Sequence, residues 1–97
     1  MSAWSTKELK DLVKALLSIQ KEQELLHFLR DLCTLEELTE MATRWRIAQL
    51  LYEGKLSYRQ VAQKTKVSTT TVTRIAAWLW HGEGGYAAAL ERGKKRE

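Results

Sequence analysis

Residues 57–79, SYRQVAQKTKVSTTTVTRIAAWL, have the spacing of a helix-turn-helix, in which two short helices cross over a tight turn. Helices that cross at a steep angle need a small side chain where their backbones come closest, and apolar side chains that fix the angle. Counted from Tyr58, the fourth and fifth positions of the motif are apolar and small, and they hold Val61 and Ala62. The tenth, fifteenth and eighteenth positions are also apolar, and they hold Val67, Val72 and Ile75.

Both helices of the motif begin with a recognisable capping residue. Ser57 and Gln60 form an S-x-x-Q capping box, in which each side chain accepts a hydrogen bond from the backbone N–H of the other residue. Ser68 has a hydroxyl that can cap the second helix. Lys66 occupies the turn position where Gly is common, so we expect a left-handed residue there at a cost of about 1–2 kcal/mol.

The second helix of the motif starts with short polar side chains. Its exposed side, close to the N-terminus, carries Thr69, Thr70, Thr73 and Arg74. Hydroxyl groups and a guanidinium near the positive end of a helix dipole are typical of contacts with phosphates and base edges. Double-stranded DNA is therefore the expected partner. The alternative is a helical hairpin that packs and has no other role.

The charge distribution also favours a nucleic acid. Residues 1–43 hold five Lys and Arg against eight Asp and Glu, a net charge of −3, whereas residues 44–97 hold eleven against four, a net charge of +7. Within residues 44–80 the only acidic residue is Glu53, and the cations are Arg44, Arg46, Lys55, Arg59, Lys64, Lys66 and Arg74. The basic region thus coincides with the helix-turn-helix, as expected of a surface that binds DNA.

The composition favours an all-α fold. The chain has 97 residues, 44% of them hydrophobic, which is enough for one small domain over residues 1–97. It contains five Gly and no Pro, so helices are favoured over strands joined by turns. Apolar side chains at helical spacing extend over residues 9–51, and this surface is too broad for one small subunit to bury. A homodimer is therefore expected.

Capping signals divide the first half of the chain into helices. Residues 5–8, STKE, predict a capping box with Ser5 as the cap of the first helix, and a polar break within residues 20–23 separates that helix from the second. Residues 34–37, TLEE, predict another capping box. The third helix should run from there to Glu53 and end at the glycine that follows.

The segment HGEGG at residues 81–85 is interpreted as a helix stop and a turn, because Gly adopts left-handed conformations at little cost. A phosphate-binding loop is the alternative, and it is disfavoured since no strand precedes the segment and no GK[ST] follows it. Residues 86–92 are predicted to form a last short helix. Residues 93–97 are predicted to form a frayed basic tail.

Several functional classes are disfavoured. Cys33 is the only cysteine, which excludes an intrachain disulfide and a cysteine-based zinc site. His27 and His81 are isolated, and no nucleophile, base and orienting residue form a motif, so we expect no enzymatic activity, metal or cofactor. The sequence has no signal peptide and no apolar run of about 20 residues, which predicts a cytoplasmic protein that does not bind a membrane.

The stretch TRWRIAQLLYEGKLSYRQVAQKTKVSTTTVTRI, residues 43–75, and the segment HGEGGY at residues 81–86 resemble the Trp repressor family, and most of all its YerC/YecD-like branch. The resemblance covers residues 32–79 with specific positions and the rest of the chain as helix order. It implies a six-helix subunit in an intertwined homodimer, with the first three helices and the last forming the body.

The resemblance also implies which residues bind DNA. Arg59 in the first helix of the motif and three threonines in the second fall where the family contacts DNA. With the neighbouring cations and the capping serine, the predicted DNA-binding set is Arg59, Lys64, Lys66, Ser68, Thr69, Thr70, Thr73 and Arg74.

A possible effector pocket follows from the same resemblance. The positions that surround the corepressor in the tryptophan-responsive member are here Thr34, Arg44, Thr71 and Arg74. That member has small residues beside its ligand where this chain has Ile75 and Trp78. Added volume in a close-packed site excludes a ligand or forces a rearrangement of about 1–3 kcal/mol. The pocket is therefore expected to be closed or altered, and tryptophan is not expected to be the effector.

These observations favour a sequence-specific DNA-binding transcriptional regulator, most simply a repressor, that acts as a helix-turn-helix homodimer. Two alternatives stay open. The first is a homodimeric protein-interaction module whose basic face binds an acidic protein, and a salt-dependent DNA titration distinguishes it from the regulator. The second is a repressor that responds to tryptophan or another small molecule.

Overall fold

The computed structural model describes residues 4–95, and within them all regular structure is helical. The helices are α1 Lys7–Ser18, α2 Glu22–Leu32, α3 Leu35–Glu53, α4 Tyr58–Thr65, α5 Thr69–His81 and α6 Gly85–Lys95. The predicted all-α class with six helices is thus confirmed for the described part of the chain. None of these helices is both long enough and apolar enough to cross a membrane.

The described residues divide into two compact units, residues 4–38 and residues 39–95. The first unit contains α1, α2 and the first turn of α3. Both α1 and α2 are strongly amphipathic, yet neither contains a buried residue. Leu17, Leu26 and Leu32 are about half exposed or more, and Leu17 reaches 78%. The first unit therefore has apolar helix faces that are left in solvent.

The start of α1 differs from the prediction by one residue. The cap is Thr6 and not Ser5, and Thr6 Oγ1 accepts a hydrogen bond from the backbone N–H of Leu9 at 3.2 Å. A capping box would need an acceptor side chain at the third helical position, which is now the apolar Leu9. The predicted box with Ser5 is therefore wrong. The break predicted within residues 20–23 is confirmed, since α1 ends at Ser18 and α2 begins at Glu22.

The capping box predicted for α3 is confirmed. The backbone N–H of Thr34 donates to Glu37 Oε1 at 2.8 Å, and the backbone N–H of Glu37 donates to Thr34 Oγ1 at 3.0 Å. Hydrogen bonding with Thr34, chiefly from its backbone amide, lowers the pKa of the Glu37 carboxyl below its usual value. The helix ends at Glu53 as predicted, before Gly54 with a φ of 73°.

The core of the second unit is built by α3, α4, α5 and α6. Its largest fully buried side chains are Ile47, Val61, Val72 and Ile75. The remaining buried members are Ala48, Leu50, Leu51, Ala62, Ala76, Leu79 and Leu90. The apolar positions predicted for the helix-turn-helix all belong to this core or, in the case of the half-buried Val67, pack against it.

The turn between α4 and α5 has the predicted left-handed residue. Lys66 has φ 61° and ψ 39°, and its backbone N–H donates to the carbonyl oxygen of Ala62. Among the described residues it is the only non-glycine residue with a positive φ. The sequence tolerates this strain because the helices on either side are held in the core through Val61 and Val72.

The last helix is longer than predicted. It was expected over residues 86–92, but α6 extends from Gly85 to Lys95. Residues 93–95 of the expected tail are therefore helical, and residues 96–97 lie outside the described part of the chain. Gly93 is exposed, with no neighbouring atom near the position of a Cβ. A glycine at this position costs about 1 kcal/mol relative to alanine, and α6 continues through it.

Candidate functional site

The N-terminal half of α5 is exposed on one side and anchored on the other. Val72 and Ile75 are fully buried, whereas Thr69, Thr70 and Thr73 are exposed. This alternation at helical spacing fixes which side chains face solvent. The structure thus brings Ser68, Thr69, Thr70, Thr73 and Arg74 of the predicted DNA-binding set together at one helix end.

The start of α5 is ordered by its own hydroxyl groups. Ser68 is the N-cap, as predicted, and its Oγ accepts a hydrogen bond from the backbone N–H of Thr71 at 3.1 Å. The Ser68 and Thr71 hydroxyl oxygens are also 3.1 Å apart. The N–H groups of the first helical turn point outwards at the positive end of the helix dipole, where negatively charged groups are favoured.

The cations of the predicted DNA-binding set lie in α4, in the connecting turn and in α5, and they form no ion pairs with described carboxylates. Arg59 is in the first turn of α4, Lys64 is in its last turn, Lys66 is in the connecting turn, and Arg74 is in α5. All four are exposed. The ion pairs Lys7–Asp11 and Arg44–Glu40 lie in α1 and α3, and neither involves one of these four cations. The positive charge of the helix-turn-helix is therefore not neutralised by a described acidic side chain.

A second site is a cleft between α3 and α5 with a volume of about 280 Å³. It contains five of the six residues predicted for the effector pocket. Thr34, the sixth, is the N-cap of α3 and forms the capping box with Glu37. The lining residues are Glu40, Thr43, Arg44, Ile47, Val67, Thr71, Arg74, Ile75 and Trp78.

The two bulky apolar residues of the cleft, Ile75 and Trp78, differ in how far they are buried. Ile75 is fully buried and forms the floor together with Ile47, whereas Trp78 is 45% exposed. The guanidinium carbon of Arg44 lies 5.5 Å from the centre of the Trp78 ring, in cation–π geometry. Ile75 and Trp78 thus both line the cleft, which is open in this structure.

Two further polar residues of α3 in the cleft, Glu40 and Thr43, were not predicted from the sequence. Glu40 Oε1 accepts a hydrogen bond from Arg44 Nη2 at 2.9 Å, and Thr43 lies on the same helix face. The i, i+4 spacing of an acidic and a basic residue on a helix is a signal that could have identified this pair. Glu40 partly neutralises Arg44, whereas Arg74 forms no ion pair with a described carboxylate.

The segment HGEGG at residues 81–85 contains the predicted helix stop, since α5 ends at His81. Gly82 is the C-cap of α5, and a Cβ on it would lie 2.3 Å from the carbonyl oxygen of Trp78, so only glycine fits. The described residues contain no group of three or more His, Cys, Asp and Glu side chains placed to hold a metal ion.

Aromatic side chains of α3, α5 and α6 stack in pairs beside the core. Trp45 stacks on Tyr86 and Tyr52 stacks on Trp80, each with ring centres 6.4 Å apart. The Tyr52 hydroxyl donates to Glu91 Oε2 at 2.5 Å, and this hydrogen bond raises the pKa of Tyr52 above its usual value. These contacts tie α3 to both α5, which is the second helix of the helix-turn-helix, and α6.

Comparison with known proteins gives three consistent matches. The model of the family described as Trp repressor protein matches residues 7–94. The uncharacterized protein YerC of Bacillus subtilis is 36% identical over 91 residues, which are 94% of this chain and 86% of that protein. The crystal structure of a TrpR-like protein from Eubacterium eligens matches with a TM-score of 0.84 at 33% identity, over 91% of this chain and 90% of that one.

Proposed function

The chain belongs to the Trp repressor family, and from that premise we propose that it is a sequence-specific DNA-binding transcriptional regulator that acts as a repressor. The observation that carries the proposal is the exposed N-terminal half of α5, with its short polar side chains and the neighbouring unpaired cations. The buried residues of α4 and α5 hold this surface in place. Family membership supports a regulator and provides no reason to expect an enzyme.

In the proposed complex, the N-terminal half of α5 lies in the major groove and α4 crosses the DNA backbone. Thr69, Thr70 and Thr73 would be closest to the base edges, since they are exposed in the first turns of α5. Lys64 and Lys66 extend from α4 and the turn, and they would neutralise phosphates. This division assigns sequence reading to α5 and to Arg59 of α4, and most of the salt-dependent affinity to the two lysines.

We also propose that the functional unit is a homodimer. Neither α1 nor α2 buries a residue within the chain, although each has one apolar face. Exposed apolar helix faces are typical of a protein interface, and a second copy of the chain would present the same faces. A two-fold dimer would place two α5 helices about 34–36 Å apart, one turn of DNA, so the preferred site would be a near-palindrome.

We further propose that DNA binding does not require free L-tryptophan. Trp78 already occupies one face of the Arg44 guanidinium, so a free indole would have to displace it or find another position. Ile75 fills the floor of the cleft beneath. The cleft keeps a volume of about 280 Å³, and a different small molecule that fits Arg74 and Thr71 is the alternative that this volume allows.

The experiment that tests the proposed function is a titration of labelled duplex DNA, from random and genomic fragments, at several salt concentrations. We expect binding whose log K falls linearly with log salt, by about 0.9 for each phosphate that is neutralised. A variant with Lys64→Glu and Lys66→Glu should bind less tightly and show a shallower slope. Absence of binding to every duplex at low salt would refute the proposal. It would then favour the basic face as a site for an acidic protein.

A further inference from the structure

The hydroxyl of Thr73 is already used inside α5. Thr73 Oγ1 donates a hydrogen bond to the backbone carbonyl oxygen of Thr69 at 2.9 Å. A threonine hydroxyl has one proton, so this bond uses its only donor. Thr73 therefore cannot donate to a base or a phosphate unless it gives up the bond within the helix.

The same hydrogen bond determines which branch of the side chain faces outwards. Because Oγ1 is bonded to the backbone of the preceding turn, the other branch at Cβ, the Cγ2 methyl group, is the part of this exposed side chain that is free to contact a partner. Thr70 differs, since its hydroxyl makes no hydrogen bond to another residue within the range 4–95. Thr70 is also exposed. The two threonines thus offer different chemistry from the same helix face.

We propose that Thr73 selects a thymine in the DNA site through contact between its Cγ2 methyl group and the C5-methyl group of the base. The inference rests on the proposed DNA-binding function and goes beyond it by naming the base and the contacting atoms. In the major groove, the C5-methyl group distinguishes thymine from the other bases, and apolar side-chain groups including the threonine methyl are its partners. Thr70 retains the hydroxyl donor for a polar contact.

The probe is the duplex obtained when the full-length chain selects its binding sites from random-sequence duplex DNA. Each thymine of that duplex is then replaced singly by deoxyuridine, which removes only the C5-methyl group. We expect one thymine in each half-site where this replacement weakens binding roughly fourfold, the factor that corresponds to one methyl-sized group leaving an apolar contact.

Two variants of Thr73 separate its methyl from its hydroxyl. Thr73→Val keeps a methyl group and removes the hydroxyl, whereas Thr73→Ser keeps the hydroxyl and removes the methyl. Helix propensities of Thr, Ser and Val are similar, so both variants should fold, and circular dichroism checks this. We expect Thr73→Val to keep the preference for thymine over deoxyuridine at the sensitive position, and Thr73→Ser to lose it. Thr70→Ser is the matched control and should keep it.

Three results would overturn the inference while leaving DNA binding intact. In the first, no thymine of the selected site is sensitive to replacement by deoxyuridine. In the second, Thr73→Ser keeps the preference for thymine over deoxyuridine. In the third, Thr70→Ser or Thr73→Val loses that preference. Failure of the selection to enrich any duplex, together with no binding at low salt, would refute the proposed function itself, and the inference with it.

Discussion

Arg59 is the exposed cation in the first turn of α4 and has no carboxylate partner among the residues described here. We predict that Arg59→Ala weakens DNA binding by about 1–3 kcal/mol and changes the preferred sequence, as expected for a guanidinium that reads a base edge. Binding of the variant to a panel of single-base changes in the selected site measures both effects.

The matched control for Arg59 is Lys14→Ala, which removes one exposed cation from α1. It should leave both the affinity and the preferred sequence close to those of the unmodified chain. If Arg59→Ala instead weakens binding to all sequences equally and reduces the salt slope by about 0.9, Arg59 contacts a phosphate and does not read a base.

Glu37 makes the stability of α3 dependent on pH. Its folded-state pKa is lowered by hydrogen bonding with Thr34, so its contribution to folding is present above the usual carboxyl pKa of about 4.3 and is lost as the pH falls below it. We predict that Glu37→Gln keeps the capping box, since the amide oxygen can still accept from the Thr34 N–H. The variant should therefore lose less stability than the unmodified chain between about pH 5 and pH 3.

Urea unfolding midpoints measured across this pH range test the role of Glu37. Glu36→Gln is the control, because it removes a neighbouring carboxylate in the same helical turn that is not part of the capping box. Its pH dependence should follow that of the unmodified chain. Equal pH dependence in Glu37→Gln and the unmodified chain would show that the capping box does not contribute to acid sensitivity.

At the scale of the elements, the turn between α4 and α5 holds a lysine in the left-handed region at φ 61°. We predict that Lys66→Gly raises the free energy of unfolding by roughly 0.5–1 kcal/mol, because glycine adopts this conformation without steric strain. The same change removes one cation and should weaken DNA binding while the protein becomes more stable. Urea unfolding and DNA titration of one preparation measure the two effects.

Gly54→Ala should have the opposite effect and lower the free energy of unfolding, because Gly54 has a φ of 73° just after the end of α3. The position has open space around a Cβ, so the expected loss of about 1 kcal/mol comes from backbone conformation alone. Increased stability in Gly54→Ala, or decreased stability in Lys66→Gly, would contradict this account of the turns.

The sequence predicted those elements whose ends have one unambiguous local signal. The capping boxes of α3 and α4, the cap at Ser68 and the stop after Glu53 are all of this kind. The start of α1 was misplaced because Ser5 and Thr6 are adjacent hydroxyl residues that fit two registers. The end of α6 was misplaced because a frayed tail was predicted to begin at Gly93, although an exposed helix can continue through a glycine at modest cost.

The candidate site was predictable where exposure follows from helix periodicity, as for Thr69, Thr70 and Thr73. The cleft was predicted only in part, because its polar side depends on how α3 packs against α5, and local spacing contains no information on that packing. The orientation of the Thr73 hydroxyl depends on a side-chain rotamer, which the sequence pattern also does not determine.

At the scale of the whole molecule, coupling between the cleft and the DNA site decides whether tryptophan regulates this protein. We predict no saturable heat with millimolar L-tryptophan and no change in DNA affinity when it is present, because Trp78 already contacts Arg44. Isothermal calorimetry and DNA titration with and without the amino acid are the measurements. Saturable heat with a gain in DNA affinity of tenfold or more, about 1.4 kcal/mol of coupling, would show a tryptophan-responsive repressor.

The apolar faces of α1 and α2 determine the expected assembly. Leu17 is 78% exposed in the single chain, so Leu17→Lys should leave an isolated subunit almost unaffected. In a dimer that buries this face, the same change places a charge in the interface and should weaken association by about 2 kcal/mol or more. Gln20→Lys, at an exposed polar position between α1 and α2, is the control and should leave association unchanged.

Sedimentation velocity at micromolar concentration should therefore give a species of twice the 11.2 kDa chain mass for the unmodified protein and for Gln20→Lys, and a shift towards the single chain for Leu17→Lys. Leu17→Lys should also bind a near-palindromic site more weakly than the unmodified protein does. The two linked α5 helices of a dimer contact two half-sites, whereas a single subunit contacts only one. A single species of 11.2 kDa for the unmodified protein would refute the dimer. A stable dimer in Leu17→Lys would mean that subunits associate through a surface other than the exposed face of α1.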